Sequence, residues 1–343
     1  MRIAFVNDTF LEGRGADTVI YELAKRLGKK HEVYVLAGKT DIKEENFKFL
    51  SLNLNKLYTG QIKDFNFLYK MIKLRKEIEN IQKQYKFDIF NVFHSALNPS
   101  FRGYPSVVTW LGSPNTKNFF RKAVNKMMLM TLENGKVIVI SRYLEKRLPS
   151  KDVRMIYCGI SKEFKPLKNK DKEYMLYVGR LEKHKGIESI IGLSKQLNFP
   201  LKIAGYGTEE EKLKKMKDRI SAPVEFIGRV SRQELIKLYR ECSFFVSASR
   251  WEGFGLIFLE AGACRKPSIG YNIGAIPEVI IDGKTGFLVN SQEELKQRTE
   301  ELIKNKILRE RMGKEALRFS KKFDWDKTAE AYENAYQEIK NGF

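Results

Sequence analysis

The chain has 343 residues, 43% of them hydrophobic, which suits two domains of ordinary size with real cores. Its three cysteines (Cys158, Cys242, Cys264) are too few and too widely spaced for a disulfide framework or a metal-ligand pattern, and they read as reduced thiols of an intracellular protein. The formal net charge is +21; residues 1–170 hold 32 Lys and Arg against 16 Asp and Glu, so most of the surplus lies in the first half. Such a field draws anions: nucleic acid, anionic lipid headgroups or phosphorylated substrates.

The N-terminal MRIAFVND reads as a strand with Asp8 close behind it, not as a signal peptide, and no run of 18 apolar residues is available to span a bilayer. GRGADTVIYELAKRL follows. Gly13 and Gly15 precede a helix over Ala16–Leu27 whose apolar positions are 19, 20, 23, 24 and 27, so this loop can approach phosphates. Further strands are expected at His31–Leu36, Lys48–Leu52, Asp88–Phe93, Ser106–Leu111, Lys136–Ile140 and Val153–Tyr157, with helical patterns between them. That alternation defines a parallel sheet covered on both faces.

Two basic amphipathic segments lie in this half. Asp64–Tyr85 carries Phe67, Leu68, Met71, Ile72 and Ile78, and Thr116–Leu132 sets Phe120, Val124, Met127 and Met128 against Lys117, Arg121, Lys122 and Lys126. Each is either a core-facing helix with a Lys-rich outer face or a surface that rests on an anionic membrane. His94 ends the strand DIFNVFHS, and it alone of the three histidines stands at the carboxyl end of a strand.

The polar stretch Lys162–Glu173 reads as a linker, after which the βα pattern restarts. Strands are expected at Tyr174–Val178, Leu201–Ala204 and Val224–Ile227, and helices at Ile187–Leu197 and Glu209–Arg219. Capping boxes are indicated at Thr208/Glu211, Ser231/Glu234 and Ser291/Glu294. Two successive doubly wound domains imply a cleft between them, with ligands at the carboxyl ends of strands. Arg180 and Lys185 both follow the strand YMLYV, where two cations can neutralise a diphosphate.

Residues 249–262, SRWEGFGLIFLEAG, hold the densest functional signal. An apolar strand, SFFVSAS, leads into Glu252, a turn at Gly253 and Gly255, and a helix containing Glu260. Glycines let a bulky group approach the backbone, and a helix N-terminus offers N–H groups to an anion, so the amides of Phe254, Gly255 and Leu256 suit a diphosphate. A carboxylate such as Glu260 can accept hydrogen bonds from vicinal hydroxyls, and Glu252 sits where a second sugar can lie.

The stretch EGFGLIFLEA followed by ACRKP resembles family-four glycosyltransferases of the GT-B fold. YVGRLEKHKG, LKIAGYGTEEEKL, VEFIGRVSRQELIKLYREC and IGAIPEVIIDGKTGFLV resemble further segments of that family in the same order. The resemblance implies an α/β chain of two Rossmann-like domains whose parallel sheets face an interdomain cleft. Residues 1–165 would form the acceptor side, with a last helix at 324–340 packing back on it, and residues 170–322 would bind the donor. It implies a retaining transferase that moves a hexosyl group from a nucleotide-diphosphate sugar, UDP- or GDP-linked, to a hydroxyl of a sugar or lipid-linked acceptor. No cofactor or catalytic metal is implied. In that family Glu260 holds the ribose, Glu252 and His94 face the donor sugar, and Arg180 and Lys185 meet the leaving diphosphate.

Departures are visible. Arg14 and Asp17 interrupt the usual G-G-x-E, Leu111 stands in place of a second histidine, and Cys158 and Ser161 alter a loop that is often N-G-V-D. Glu12 replaces the lysine of glycogen-synthase-like relatives, which argues against a glucan synthase. Asp324-Trp325-Asp326 is a D-x-D, better explained by helix-start preference than by a metal. An epimerase on the same plan would need further acid and base residues. A nucleic-acid-binding protein would leave the glutamates and glycine loops without a role, and no stacking strip is present. The expected location is the cytoplasm, including the inner face of the membrane.

Overall fold

The computed structural model describes the chain apart from residues 12–14, 53–66, 94, 113–129, 131, 134, 168–170 and 343, and apart from the side chains of residues 67–71, 95 and 96. Two compact units divide it: Met1–Gly159 with Trp325–Phe343, and Ile160–Asp324.

In the first unit seven strands form one parallel sheet in the order β3-β2-β1-β4-β5-β6-β7. They are β1 (Arg2–Val6), β2 (Glu32–Ala37), β3 (Lys48–Ser51), β4 (Ile89–Val92), β5 (Ser106–Trp110), β6 (Val137–Val139) and β7 (Val153–Met155). Continuous apolar runs such as Ile3–Val6, wholly buried, are what a sheet covered on both faces requires. Helix α1 (Gly15–Leu27) buries Val19, Ile20, Leu23, Ala24 and Leu27, the stripe that the 3.6-residue period predicts. In α2 (Phe67–Tyr85) Leu74 and Ile78 are buried, but Ile72 is 52% exposed, so Ile72 does not belong to the core-facing stripe. A short helix, α3 (Arg142–Glu145), is capped by the Ser141 hydroxyl. The segment of residues 116–129 lies outside the described residues.

The strand order reverses at β1 and β4, which pair directly. These are the strands that precede the glycine stretch and His94 in the sequence. Gly13 and His94 lie outside the described residues, and Gly15 opens α1 in an exposed position. Asp17, a departure from the family pattern, is buried. Its carboxylate accepts from the Asn7 side chain at 2.7 Å and the Leu11 amide at 2.8 Å, and so ties the chain leaving β1 to the first turn of α1.

The second unit holds six parallel strands in the order β10-β9-β8-β11-β12-β13. They are β8 (Met175–Val178), β9 (Leu201–Ala204), β10 (Val224–Gly228), β11 (Phe244–Ser247), β12 (Ser268–Tyr271) and β13 (Gly286–Val289). The covering helices are α4 (Ile187–Leu197), α5 (Glu210–Ile220), α6 (Arg232–Glu241), α7 (Leu256–Ala263), α8 (Ile276–Val279), α9 (Gln292–Lys304) and α10 (Lys306–Ser320). Met175, Tyr177, Ile203, Phe244, Val246 and Ile269 form the centre of its core.

The polar stretch read as a linker is largely bound to this unit. Phe164 is buried against the Tyr239 ring, with centroids 5.8 Å apart, and Arg240 donates to the carbonyls of Lys165 at 2.8 Å and Glu163 at 3.1 Å. Asp171 accepts from the Ser243 hydroxyl at 2.5 Å and pairs with the buried Arg309 at 3.2 Å. The unit boundary accordingly falls at Gly159/Ile160, ahead of the polar stretch.

The last helix, α11 (Trp325–Asn341), belongs to the first unit and packs on α1. It buries Trp325, Tyr332 and Tyr336. Tyr336 accepts from the Asn91 amide at 2.5 Å, and Asn91 in turn accepts from the Thr109 hydroxyl at 2.8 Å, so a polar chain runs from α11 through β4 to β5 inside the core. Asp326 of the D-x-D is engaged by Arg26 at 2.8 Å.

Candidate active site

The strand order of the second unit reverses between β8 and β11, which are direct neighbours. Ligands of open α/β sheets sit at the carboxyl ends of such a pair. β8 runs out into Gly179-Arg180, and β11 runs out into Ala248–Gly255. The cation segment and the glutamate segment, some 70 residues apart in the chain, therefore leave adjacent strands on one edge of the sheet.

Lys185 and Glu252 meet there. Their side chains pair at 2.8 Å and are only 13% and 15% exposed. The 3₁₀ turn Lys183–Lys185 supplies the lysine, and the Arg250 amide donates to the His184 carbonyl at 2.8 Å, clasping the two segments together. The far side of Glu252 is held by the Ile273–Ala275 turn. The Ala275 amide donates to the Glu252 carbonyl at 3.1 Å, and Gly274, at φ +60°, passes so close that a Cβ would lie 2.5 Å from that oxygen. His184, between the two expected cations, has its pKa lowered by burial first and then by the charges of Lys185 and Arg180, which favours its neutral form.

Arg180 is placed differently. Its side chain is 60% exposed, and its nearest carboxylate is Glu182 at 3.7 Å, too long and too exposed to hold it firmly. Its carbonyl accepts from the buried Tyr177 hydroxyl at 3.1 Å, which fixes the backbone as it leaves β8. The guanidinium thus projects from an anchored residue.

The glycine turn ends at Gly255, whose φ of +99° is a left-handed conformation; a Cβ there would also press on the Phe258 ring at 2.9 Å. Leu256 opens α7, so its amide has no intrahelical acceptor, whereas the Phe258 amide already donates to the Gly255 carbonyl at 3.1 Å. Gly253 and the Phe254 side chain are buried, the latter packing against Phe323. Any ligand contact of Phe254 is thereby confined to its backbone. Glu260 lies just over one turn into α7, and its Oε2 accepts from the hydroxyl of Tyr239 at 2.9 Å.

Tyr239 gave no functional signal in the sequence. It occupies an apolar position of α6, where a core role explains it fully, and its partner is 21 residues away. Its hydroxyl pKa is pushed well above the ordinary value by burial and then by the Glu260 carboxylate, so it remains a donor at working pH. Among the described residues the structure joins Lys185 to Glu252, sets Arg180 on the neighbouring strand end, and gives Glu260 a tyrosine. Among those residues no group of His, Cys, Asp and Glu is arranged to hold a metal ion.

Two family models match this chain in succession: Glycosyltransferase Family 4 over residues 13–164 and Glycosyl transferases group 1 over residues 160–319. An uncharacterized glycosyltransferase of Methanocaldococcus jannaschii is 35% identical over 217 residues, 61% of each chain. A sucrose-phosphate synthase from Thermosynechococcus elongatus superposes with a TM-score of 0.88 at 20% identity over the whole of both chains. HepE of Anabaena, solved in complex with UDP and glucose, gives 0.77 at 17% identity over 98% of this chain and 100% of its own. The two parallel sheets and their helices are thus those of the GT-B glycosyltransferase fold. Within that class the chain belongs to the group 1, family-4-like glycosyltransferases. Its match spans about three fifths of the length of the curated relatives.

Proposed function

We propose that this protein is a retaining glycosyltransferase that takes a nucleoside-diphosphate sugar, UDP- or GDP-linked, and transfers the sugar to a hydroxyl of a glycan or lipid-linked acceptor. The observation that carries the reading is the enclosed Lys185–Glu252 pair, with Arg180 beside it, at the carboxyl ends of β8 and β11. HepE, which shares the fold, was solved with UDP and glucose, and this supports the donor class.

In this reading Glu260 takes the ribose hydroxyls and the amides of Gly255 and Leu256, at the start of α7, take phosphate oxygens. Glu252 faces the sugar. As the bond between the sugar's anomeric carbon and the phosphate oxygen breaks, negative charge grows on the diphosphate, where Arg180 and Lys185 stabilise it. The acceptor oxygen attacks the same face of the anomeric carbon, and its proton passes to the departing phosphate oxygen. Retention follows because bond formation and bond breaking share one face. Two protein cations supply the charge stabilisation, so activity should persist in EDTA.

A thermal-shift screen with UDP, GDP and ADP tests the donor reading. A nucleotide present at 100 times its Kd stabilises by about 2.7 kcal/mol. Absence of any shift at millimolar nucleotide would refute it. No helix among the described residues is long and apolar enough to cross a membrane. We place the protein in the cytoplasm, with the basic first unit resting on anionic lipid through surfaces such as α2, where Ile72 is exposed among Lys73 and Lys76. Co-sedimentation with vesicles containing phosphatidylserine, lost in high salt, is the expected result. Equal sedimentation with neutral vesicles would point to a soluble acceptor.

A further inference from the structure

We infer that Tyr239 is a positioning residue for the donor: its hydroxyl fixes the Glu260 carboxylate in the orientation that receives the ribose diol. This rests on the donor reading above and adds a second layer to it.

The geometry is specific. Tyr239 is wholly buried, yet its hydroxyl reaches Glu260 Oε2 at 2.9 Å, while Glu260 itself is only partly buried. A buried donor on one carboxylate oxygen restrains the plane in which the group meets any further donor. Hydrogen bonds to a charged group are the strong ones, and they set direction as well as energy.

The ring that carries the hydroxyl is held from both sides. Phe164 packs edge-on against it with centroids 5.8 Å apart, and Phe245 of β11 lies at 5.9 Å. The helix beneath is fixed in turn, because the Tyr174 hydroxyl donates to the Leu238 carbonyl at 2.8 Å and the Cys242 thiol to the Tyr239 carbonyl at 3.4 Å. The segment bearing Phe164 is tied down by the two Arg240 bonds, and Arg232 stands over the Phe164 ring at 5.1 Å. A tyrosine needed only to fill the core could be phenylalanine, like its neighbours Phe164, Phe244 and Phe245. Its hydroxyl is spent on the one carboxylate proposed to hold ribose.

The test is a cycle between protein and ligand. Wild type and Tyr239→Phe are titrated calorimetrically with UDP and with 2′-deoxy-UDP, and in parallel with GDP, ADP and their 2′-deoxy forms. If Tyr239 acts through Glu260 on the ribose, each single change weakens binding about tenfold, or about 1.4 kcal/mol. The two together then weaken it little more than either alone, because each removes the same grip. Losses that multiply to about a hundredfold, or a Tyr239→Phe protein that binds the ribonucleotide as wild type does, overturn the inference. A purely structural tyrosine would lower the melting temperature and weaken both nucleotides alike. Glu260→Gln supplies a second route: in that background Tyr239→Phe should cost no further affinity. If wild type binds none of these diphosphates, the donor reading falls, and this one with it. If wild type binds and the cycle is additive, only the role of Tyr239 falls.

Discussion

Breaking the Lys185–Glu252 pair from the glutamate side should cost much of what removing it altogether costs, because the second substitution takes away a charge already stranded. At an effective dielectric of 20, two unit charges about 4 Å apart attract by about 4 kcal/mol, and each has been stripped of water to reach that position. Removing one member of a fully buried pair costs about 3–5 kcal/mol because the other charge is stranded. These side chains keep 13% and 15% of their exposure, so some water remains to screen the orphan. Lys185→Met should therefore destabilise the second unit by about 2–3 kcal/mol. At roughly 2–4 °C per kcal/mol for a unit of this size, the midpoint falls by about 4–12 °C. Glu252→Gln leaves the ammonium with an amide oxygen and should cost about 1–2 kcal/mol. The double variant should recover much of the combined loss, a coupling of about 1.5–2 kcal/mol. Scanning calorimetry of the four proteins, with the two units resolved as separate transitions, measures this. Coupling below about 0.5 kcal/mol would refute the account, since that is how distant, independent sites behave.

Further outcomes follow from the same site and its surroundings. Glu252→Gln releases Lys185, so a nucleoside diphosphate should bind at least as tightly as to wild type while turnover falls; weaker nucleotide binding would place Glu252 in a different role. Arg180→Ala should lower kcat by about 10²–10³ and leave the melting temperature nearly unchanged, because the side chain is 60% exposed and only loosely tied to Glu182. A wild-type kcat would remove Arg180 from the leaving-group chemistry. Arg309 donates to the carbonyls of Leu302 and Ile303 near the end of α9 and pairs with Asp171, so Arg309→Met should cost about 3 kcal/mol in a urea titration. A loss under 1 kcal/mol would mean the bound linker contributes little. Glu32 is held down to about 2, first by the Tyr34 hydroxyl and then by Arg2. A depressed carboxylate stabilises above its unfolded pKa and loses that contribution as pH falls through its folded one. The advantage of wild type over Glu32→Gln should therefore be full at pH 7 and fade between about 4.5 and 2. A difference that is flat across that window would disprove the linkage.

The strands were legible because alternating short apolar runs and amphipathic stretches leave few other folds. Arg2–Val6, Ile187–Leu197 and Leu201–Ala204 carry the bounds that the pattern indicates. Local chemistry was read unevenly. Ser231 and Glu234 form the reciprocal capping box. Ser291 caps the Glu294 amide, but the Glu294 carboxylate turns to the Asn290 amide instead. Thr208 does not cap α5 at all: Glu209 takes the cap position with helical φ and ψ, and the Thr208 hydroxyl faces Glu182. The residue types allow either partner, and local backbone geometry decides between them. The site was legible as residue types, since glycines, cations and carboxylates at strand ends have few structural uses. Their pairing was not. That Lys185 grips Glu252, 67 residues away, and that Tyr239 serves Glu260, are consequences of strand order and helix placement.

The polar chain from Tyr336 through Asn91 to Thr109 bears on how the protein is made. The helix that completes the first unit is made only after the whole of the second unit, which needs nothing beyond Asp324. Synthesis order and completion order are thus reversed: the half begun first waits for α11, with the Asn91 amide and the face of β4 unsatisfied in the meantime. Domains generally fold as units as they emerge. Here the second unit can close alone, and the first becomes a finished globule only when the C-terminal helix docks. A stop codon a few residues before Trp325 would then spare the second unit and leave the first, made earlier, unfinished.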